Sequence, residues 1–141
     1  MNLTLITMKG VKIDKKVYEL IVPTAAGEIA IFPGHEPLVA VAVPGAITVR
    51  HEKEHGDSKL EYLAISGGII EVSPQSVRLL VDAAIHGEDI IEAESQAALA
   101  RAVELRDNAK DQLELEKAHQ MVDRHSVRLK VAELHRRRHN L

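Results

Sequence analysis

The chain has 141 residues, a formal net charge of -3, 45% hydrophobic residues and no cysteine. Two large domains do not fit in that length, disulfide frameworks and thiolate metal sites are excluded, and the charge confers no general affinity for nucleic acid. Only Tyr18, Phe32 and Tyr62 are aromatic, so the core must be built from Val, Ile, Leu and Ala, and the base-stacking rings of nucleic-acid modules are scarce.

From Leu3 to about Ile85 the chain reads as short β-type runs divided by turn signals roughly every ten residues. Val17 to Val22 is expected to be a strand that stops at Pro23. Ala46 to Arg50 alternates inward Ile47 and Val49 with outward Thr48 and Arg50, and Val77, Leu79 and Val81 repeat that period of two. Pro33-Gly34, Pro44-Gly45, Gly56-Asp57-Ser58 and Gly67-Gly68 supply the turns. Such a series predicts an antiparallel β-sandwich.

After Gly87 neither Pro nor Gly occurs again, and Ala, Glu, Leu, Arg and Lys dominate. Glu88 and Asp89 suit a helix's first turn, where unpaired N–H groups favour negative charge. Ile91, Ser95, Ala98, Ala102, Leu105 and Ala109 form one stripe; Leu115, Ala118, Val122, His125, Leu129 and Ala132 form another. A break near 107–111 predicts two helices paired antiparallel. The fold expected is therefore α+β: a β-sandwich over residues 1–86 followed by a helical hairpin over residues 87–141. The first stripe is mostly Ala and Ser, so its burial removes little apolar surface at about 0.8 kcal/mol per methylene. The hairpin should be a marginally stable arm, able to dock on the head, undock or extend.

Three constellations invite chemistry. His51-Glu52-Lys53-Glu54-His55 matches the pattern in which two His on a helix hold zinc and the Glu activates water. Here it lies between β-type runs, where an extended chain would separate the imidazoles by about 13 Å. A charged hairpin tip is expected instead, with a zinc hydrolase as the rival. Ser66-Gly67-Gly68 lacks the nucleophile-elbow order, and no phosphate loop ends in Lys-Ser or Lys-Thr. Charge in the helical half is segregated: residues 88–116 hold nine acids against Arg101, Arg106 and Lys110, whereas after position 123 Arg124, Arg128, Lys130, Arg136, Arg137 and Arg138 face only Glu133. Those cations complement the helix dipole or meet an acidic partner surface. No apolar run approaches the roughly 20 residues that span a bilayer, and Met1 to Leu5 lacks a signal peptide's basic start. Membrane association is expected only through a partner.

The stretch Gly27-Glu28-Ile29-Ala30-Ile31-Phe32-Pro33-Gly34-His35-Glu36-Pro37-Leu38, echoed by Ser66-Gly67-Gly68-Ile69-Ile70-Glu71-Val72, resembles the epsilon subunit of bacterial F-type ATP synthases. The resemblance covers nearly the whole head and, by helix pattern alone, the tail. It implies a noncatalytic rotor subunit without a cofactor, peripheral on the cytoplasmic face of the cell membrane. Its implied partners are the gamma subunit, the c subunits of the rotor ring and, for the tail, the alpha and beta subunits. Glu28 is implied near the ring and His35 against gamma, while Arg124, Arg128, Arg136, Arg137 and Arg138 are candidate inhibitory contacts. Ala30 stands where the family usually has Gly. Many members also open the first helix with Ile or Leu, Asp, two variable residues, Arg and Ala, a motif associated with ATP binding. This chain has Ile91 for the Asp, Glu94 for the Arg and Ser95 for the Ala, so weak ATP affinity is expected. A rival from another class is a free-standing β-sandwich adaptor using its basic tail on RNA or anionic lipid.

Overall fold

A computed structural model describes residues 1–138; the last three residues of the expected hairpin, 139–141, lie outside the described residues. Ten strands are followed by two helices: β1 (Asn2–Thr7), β2 (Gly10–Lys16), β3 (Glu19–Thr24), β4 (Gly27–Ile31), β5 (Leu38–Ala42), β6 (Gly45–Arg50), β7 (Glu61–Ile65), β8 (Gly68–Val72), β9 (Ser76–Val81), β10 (Ala84–His86), α1 (Glu92–Asp107) and α2 (Gln112–Arg138). One layer runs β10-β7-β6-β3 with β4 beside β3, and the other runs β5-β8-β9-β1-β2. A single register pair, Thr24 with Ala42, joins them. All strand pairs are antiparallel except β1 with β9.

The alternating apolar positions meet between the layers. Leu3, Leu5, Leu20, Val22, Ile31, Ile47, Val49, Leu63, Ile70, Val77 and Leu79 are wholly buried there, each contributing about 1.5–3 kcal/mol by leaving water. Ile47, Val49, Val77, Leu79 and Val81 point inward as their period requires. Pro23, however, does not end its strand. β3 runs through Pro23 to Thr24, pairing Pro23 with Glu28 of β4. Pairing with β6 stops at Ile21 and β5 is met only at Thr24. Pro23 thus sits where the strand changes neighbours and no N–H is required on that side. Its carbonyl still accepts from the Val43 N–H at 3.0 Å.

The helical start differs too. Gly87–Asp89 forms a single 3-10 turn closed by Ile90 N–H to Gly87 O, and α1 begins only at Glu92. α1 ends at Asp107, where Asn108 Nδ2 donates to the Glu104 carbonyl at 2.9 Å. α2 opens with a reciprocal cap: Glu114 N–H donates to Asp111 Oδ1 at 2.8 Å, and Lys110 N–H donates to Glu114 Oε2 at 2.9 Å. The helices pack on each other, and α2 lies on β6, β7 and the 3-10 turn at Gly87. Of the two stripes, Ser95, Ala102, Ala118 and Ala132 are buried, whereas Ile91 and Leu105 remain exposed. Small residues therefore make the seam.

Candidate functional site

Three surfaces carry the residues singled out from sequence. The first is the turn between β4 and β5. Gly34, at φ +89, donates its N–H to Pro74 O at 2.8 Å, which pins the turn to the end of the β8–β9 hairpin. His35 follows, its Nδ1–H donating to the Glu36 carbonyl at 2.7 Å, which leaves Nε2 as the available ring nitrogen. Beside the turn, Phe32 meets Tyr18 edge to face at 5.6 Å.

The chain then enters β5, whose outer side chains are apolar. Val39 is 72%, Val41 57% and Ile69 49% exposed. Val41 pairs with Ile69 and Val39 with Glu71, which is bridged to Arg78 at 3.5 Å. The inward residues Ala42, Ile70 and Val72 fill the core. An apolar strip framed by an ion pair and continuous with the His35 turn is suited to covering by another protein. Sequence reasoning missed Val39, Val41 and Ile69. The available signal was that Leu38-Val39-Ala40-Val41-Ala42 is apolar on both faces, as a strand covered on both sides would be.

Glu28 is elsewhere. It lies exposed on β4, beside the β3–β4 turn made by Gly27 at φ +120. It helps to line a cleft of about 460 Å³ with Pro44, Gly45, Lys130 and Leu134. Glu28 and His35 therefore do not form one site: the first stands on the layer that α2 covers, the second on the turn leading to the opposite layer.

The arginines of the arm are divided among separate contacts. Arg136 Nη1 reaches both Glu92 oxygens, at 2.6 and 2.8 Å, joining the end of α2 to the start of α1. Arg137 pairs with Glu133 one turn earlier at 2.6 Å, and Arg138 donates to the Leu60 carbonyl of the head. Arg124 and Arg128 flank a small gap against Ala64, Ile65 and Ala83. Arg128 also enters a cleft of about 400 Å³ with Arg101, His125, Asp89 and Glu94. Burial and then the charges of Arg128, Arg124 and Arg101 push the His125 imidazole below its ordinary range, while burial and Arg124 also lower Arg128. His125 Nδ1 is buried without a hydrogen-bond partner. The cleft gathers cations but opposes them with Asp89 and Glu94, so an anion entering it meets both signs.

His51 and His55 flank a bend and turn at Glu52, Lys53 and Glu54 after β6 rather than lying on a helix. His51 Nε2 lies 2.6 Å from Glu61 Oε2, and His55 Nε2 lies 3.2 Å from Glu52. Among the described residues no group of three or more His, Asp or Glu side chains is placed to hold a metal ion, and no helix is long and apolar enough to cross a membrane.

Residues 1–87 match the family described as the β-sandwich domain of the ATP synthase delta/epsilon chain. The chain is 40% identical over 93 residues to an ATP synthase epsilon chain of Polaromonas naphthalenivorans, a match spanning 66% of this chain and 64% of that protein. It is 38% identical over 96 residues to the epsilon chain of Verminephrobacter eiseniae, spanning 68% and 67%. The first alignment thus covers slightly less than two thirds of the relative's length. In fold the chain resembles a subunit of the Euglena gracilis mitochondrial ATP synthase, from a structure of its OSCP, F1 and c-ring, with a TM-score of 0.78 at 23% identity over 93% of this chain and 79% of that one. It also resembles a chain in the central stalk and c-ring of the Tetrahymena thermophila mitochondrial enzyme, with a TM-score of 0.59 at 13% identity over 94% and 96%.

Proposed function

Starting from a chain that belongs to the ATP synthase delta/epsilon family, we propose that it is a noncatalytic subunit of the central stalk of a proton-translocating F-type ATP synthase. The match over residues 1–87 carries this reading, because it ends where the ten-stranded head ends, at His86. In the proposed role the head joins the gamma subunit to the ring of c subunits and helps to couple proton flow to ATP synthesis. Its place is peripheral, on the cytoplasmic face of the membrane, and membrane contact is made only through the complex.

The physical features agree with a head that transmits force without chemistry. Two hydrogen-bonded layers close on one apolar core, so displacement of one edge moves the whole sandwich. The strip of Val39, Val41 and Ile69 beside His35 offers gamma an apolar face, and Glu28, at the far hairpin, is left for the ring. The head and residues 87–141 act as separable units. The arm rests on the head through one face of α2, with Val131 buried and Arg138 on the Leu60 carbonyl, while its ion pairs lie within the arm, so it can part from the head without unfolding the sandwich. In the released arm Arg124, Arg128, Arg136, Arg137 and Arg138 meet acidic surfaces on alpha and beta, which restrains hydrolysis.

Reconstitution tests both parts. The intact chain should bind purified gamma, and removal of residues from Glu88 onward should leave that binding while raising ATP hydrolysis by the assembled enzyme. Failure to bind gamma refutes the subunit reading and favours the RNA or lipid adaptor. Hydrolysis unchanged by truncation and by neutralising the five arginines, at low and high salt, refutes the arm's role alone.

A further inference from the structure

Where the end of α2 meets the head, three elements bring one carboxylate between two imidazoles. Glu61 opens β7, His51 follows β6 and His86 ends β10. His51 Nε2 lies 2.6 Å from Glu61 Oε2 and His86 Nδ1 lies 2.8 Å from Glu61 Oε1, so each imidazole donates to its own carboxylate oxygen. Lys15 of β2 approaches the same carboxylate at 3.7 Å. All three residues are only about one-fifth exposed. They line a cleft of about 300 Å³ whose other wall includes His135 and Arg138 of α2, with Lys59, Tyr62 and Glu88 at its margins.

The arm is pressed closely onto this place. A Cβ built on Gly87 would lie 3.0 Å from His135 Cβ and 3.2 Å from Tyr62 O, so a side chain here would make the last turns of α2 give by a few tenths of an ångström. Arg138 then reaches the Leu60 carbonyl, one residue before Glu61. The cluster is therefore built into the contact between head and arm.

We propose that His51, Glu61 and His86 form a proton-operated latch, which holds the end of α2 on the head while the imidazoles are neutral and releases it when both are protonated. With neutral imidazoles, the charges facing the cleft are Lys15, Lys59 and Arg138 against Glu61 and Glu88. Glu61 can neutralise one imidazolium; the second has no further carboxylate among the lining residues except Glu88. Protonation of His51, His86 and His135 would leave six cations facing two carboxylates. The added charges on the head repel Arg138, and those on α2 repel Lys59, so each proton opposes docking. Release requires moving only an arm, since the cluster's hydrogen bonds lie within the head and survive undocking.

This inference rests on the proposed role of the arm as a part that leaves the head, but its test uses the isolated chain. Since the sequence has no cysteine, Lys53→Cys and Arg137→Cys provide unique sites for two spin labels. Their distance distribution should shift from docked to released as pH falls from about 7.5 to about 5.5, the range in which imidazoles gain charge, with the released fraction rising about tenfold. His51→Gln with His86→Gln should release far less than the parent as pH falls, because an amide keeps a donor and adds no charge, leaving only His135 of the cleft's imidazoles to gain one; His86→Gln alone should give an intermediate response. Gly87→Ala, which crowds His135, should raise the released fraction at both pH values. His125→Gln, in the seam between helices, should respond as the parent does. A parent chain whose distances do not change with pH overturns the proposal, as does a double Gln variant that releases as fully as the parent. Both outcomes are independent of whether truncation alters ATP hydrolysis.

Discussion

Val131→Ala isolates the strength of the arm's hold on the head. Val131 is wholly buried. It lies one turn after Val127, which faces Ala64 and Ile65, and one turn before Leu134, which faces Leu60 and Tyr62. That spacing turns Val131 to the sheet. Removing two methyl groups costs about 1.6 kcal/mol at ~0.8 kcal/mol per group. Incomplete collapse of the cavity adds to this. Such a loss weakens docking about fifteenfold, since 1.4 kcal/mol is a factor of ten. Trypsin cleavage within α2 should therefore accelerate by about the same factor when opening and closing outpace cleavage. The urea midpoint of the β head should not move. Cleavage at the parent rate, together with a head destabilised by the full amount, would show that the helices unfold only with the sandwich and would remove the basis for a releasable arm.

Gly68→Ala should cost the head at least about 3 kcal/mol by chemical denaturation, at or beyond the upper end of ordinary overpacking. The added Cβ would lie 1.9 Å from Leu80 O and 2.8 Å from Leu80 C, so backbone of β9 must move; a loss under about 1 kcal/mol refutes the close approach. Val41→Asp, on the exposed strip, should leave stability within about 0.5 kcal/mol of the parent but abolish detectable binding to gamma in pull-down; retained binding would move the partner surface elsewhere. For Glu61, burial raises the carboxyl's pKa, but the His51 hydrogen bond and the charges of Lys15, His51 and His86 outweigh it and hold the group below its ordinary range. Its stabilisation is therefore present above the unfolded-state value of ~4.3 and lost as pH falls through the lower folded value. Glu61→Gln should be less stable than the parent near neutrality and show a shallower loss of stability in acid; parallel stability curves for the two would refute that sign.

The legible parts of the fold were those determined within a few residues. Ile47 with Val49, and Val77 with Leu79 and Val81, declare a buried face by alternation, and all five are buried. The interval after Asp107 declares a helix end because Asn108 and Asp111 favour caps over continuation. Asp111 and Glu114 carried a capping-box spacing that sequence reasoning passed over: Asp111 Oδ1 accepts from Glu114 N–H, while Glu114 reaches back one residue further, to Lys110 N–H. Pro23 misled because a missing N–H matters only if a neighbouring strand requires it, and neighbours are a tertiary fact. At Glu88 and Asp89, negative charge suited the start of either kind of helix, so composition could not distinguish a 3-10 turn from α1.

The sites were less legible because they depend on register. Glu61 stands opposite Val49 across β6–β7, and His51 lies two residues beyond Val49; His86 stands opposite Leu63, two residues beyond Glu61. Offsets of two keep side chains on one face of a sheet, which is why residues 10 and 25 positions apart along the chain meet at hydrogen-bond distance. A slip of one residue in either pairing would send an imidazole to the opposite face and leave Glu61 with one partner. His51 was noticed for its spacing to His55, but the sheet pairs it with a carboxylate from the next strand instead. The arm's arginines follow the same logic. Their run in sequence suggests one basic patch, whereas helix periodicity and docking distribute them among Glu92, Glu133 and the Leu60 carbonyl. Undocking separates Arg138 from the Leu60 carbonyl, whereas Arg137 keeps Glu133 on its own helix and Arg136 keeps Glu92 while the hairpin stays closed, so part of the charge available to an acidic surface is coupled to the position of the arm.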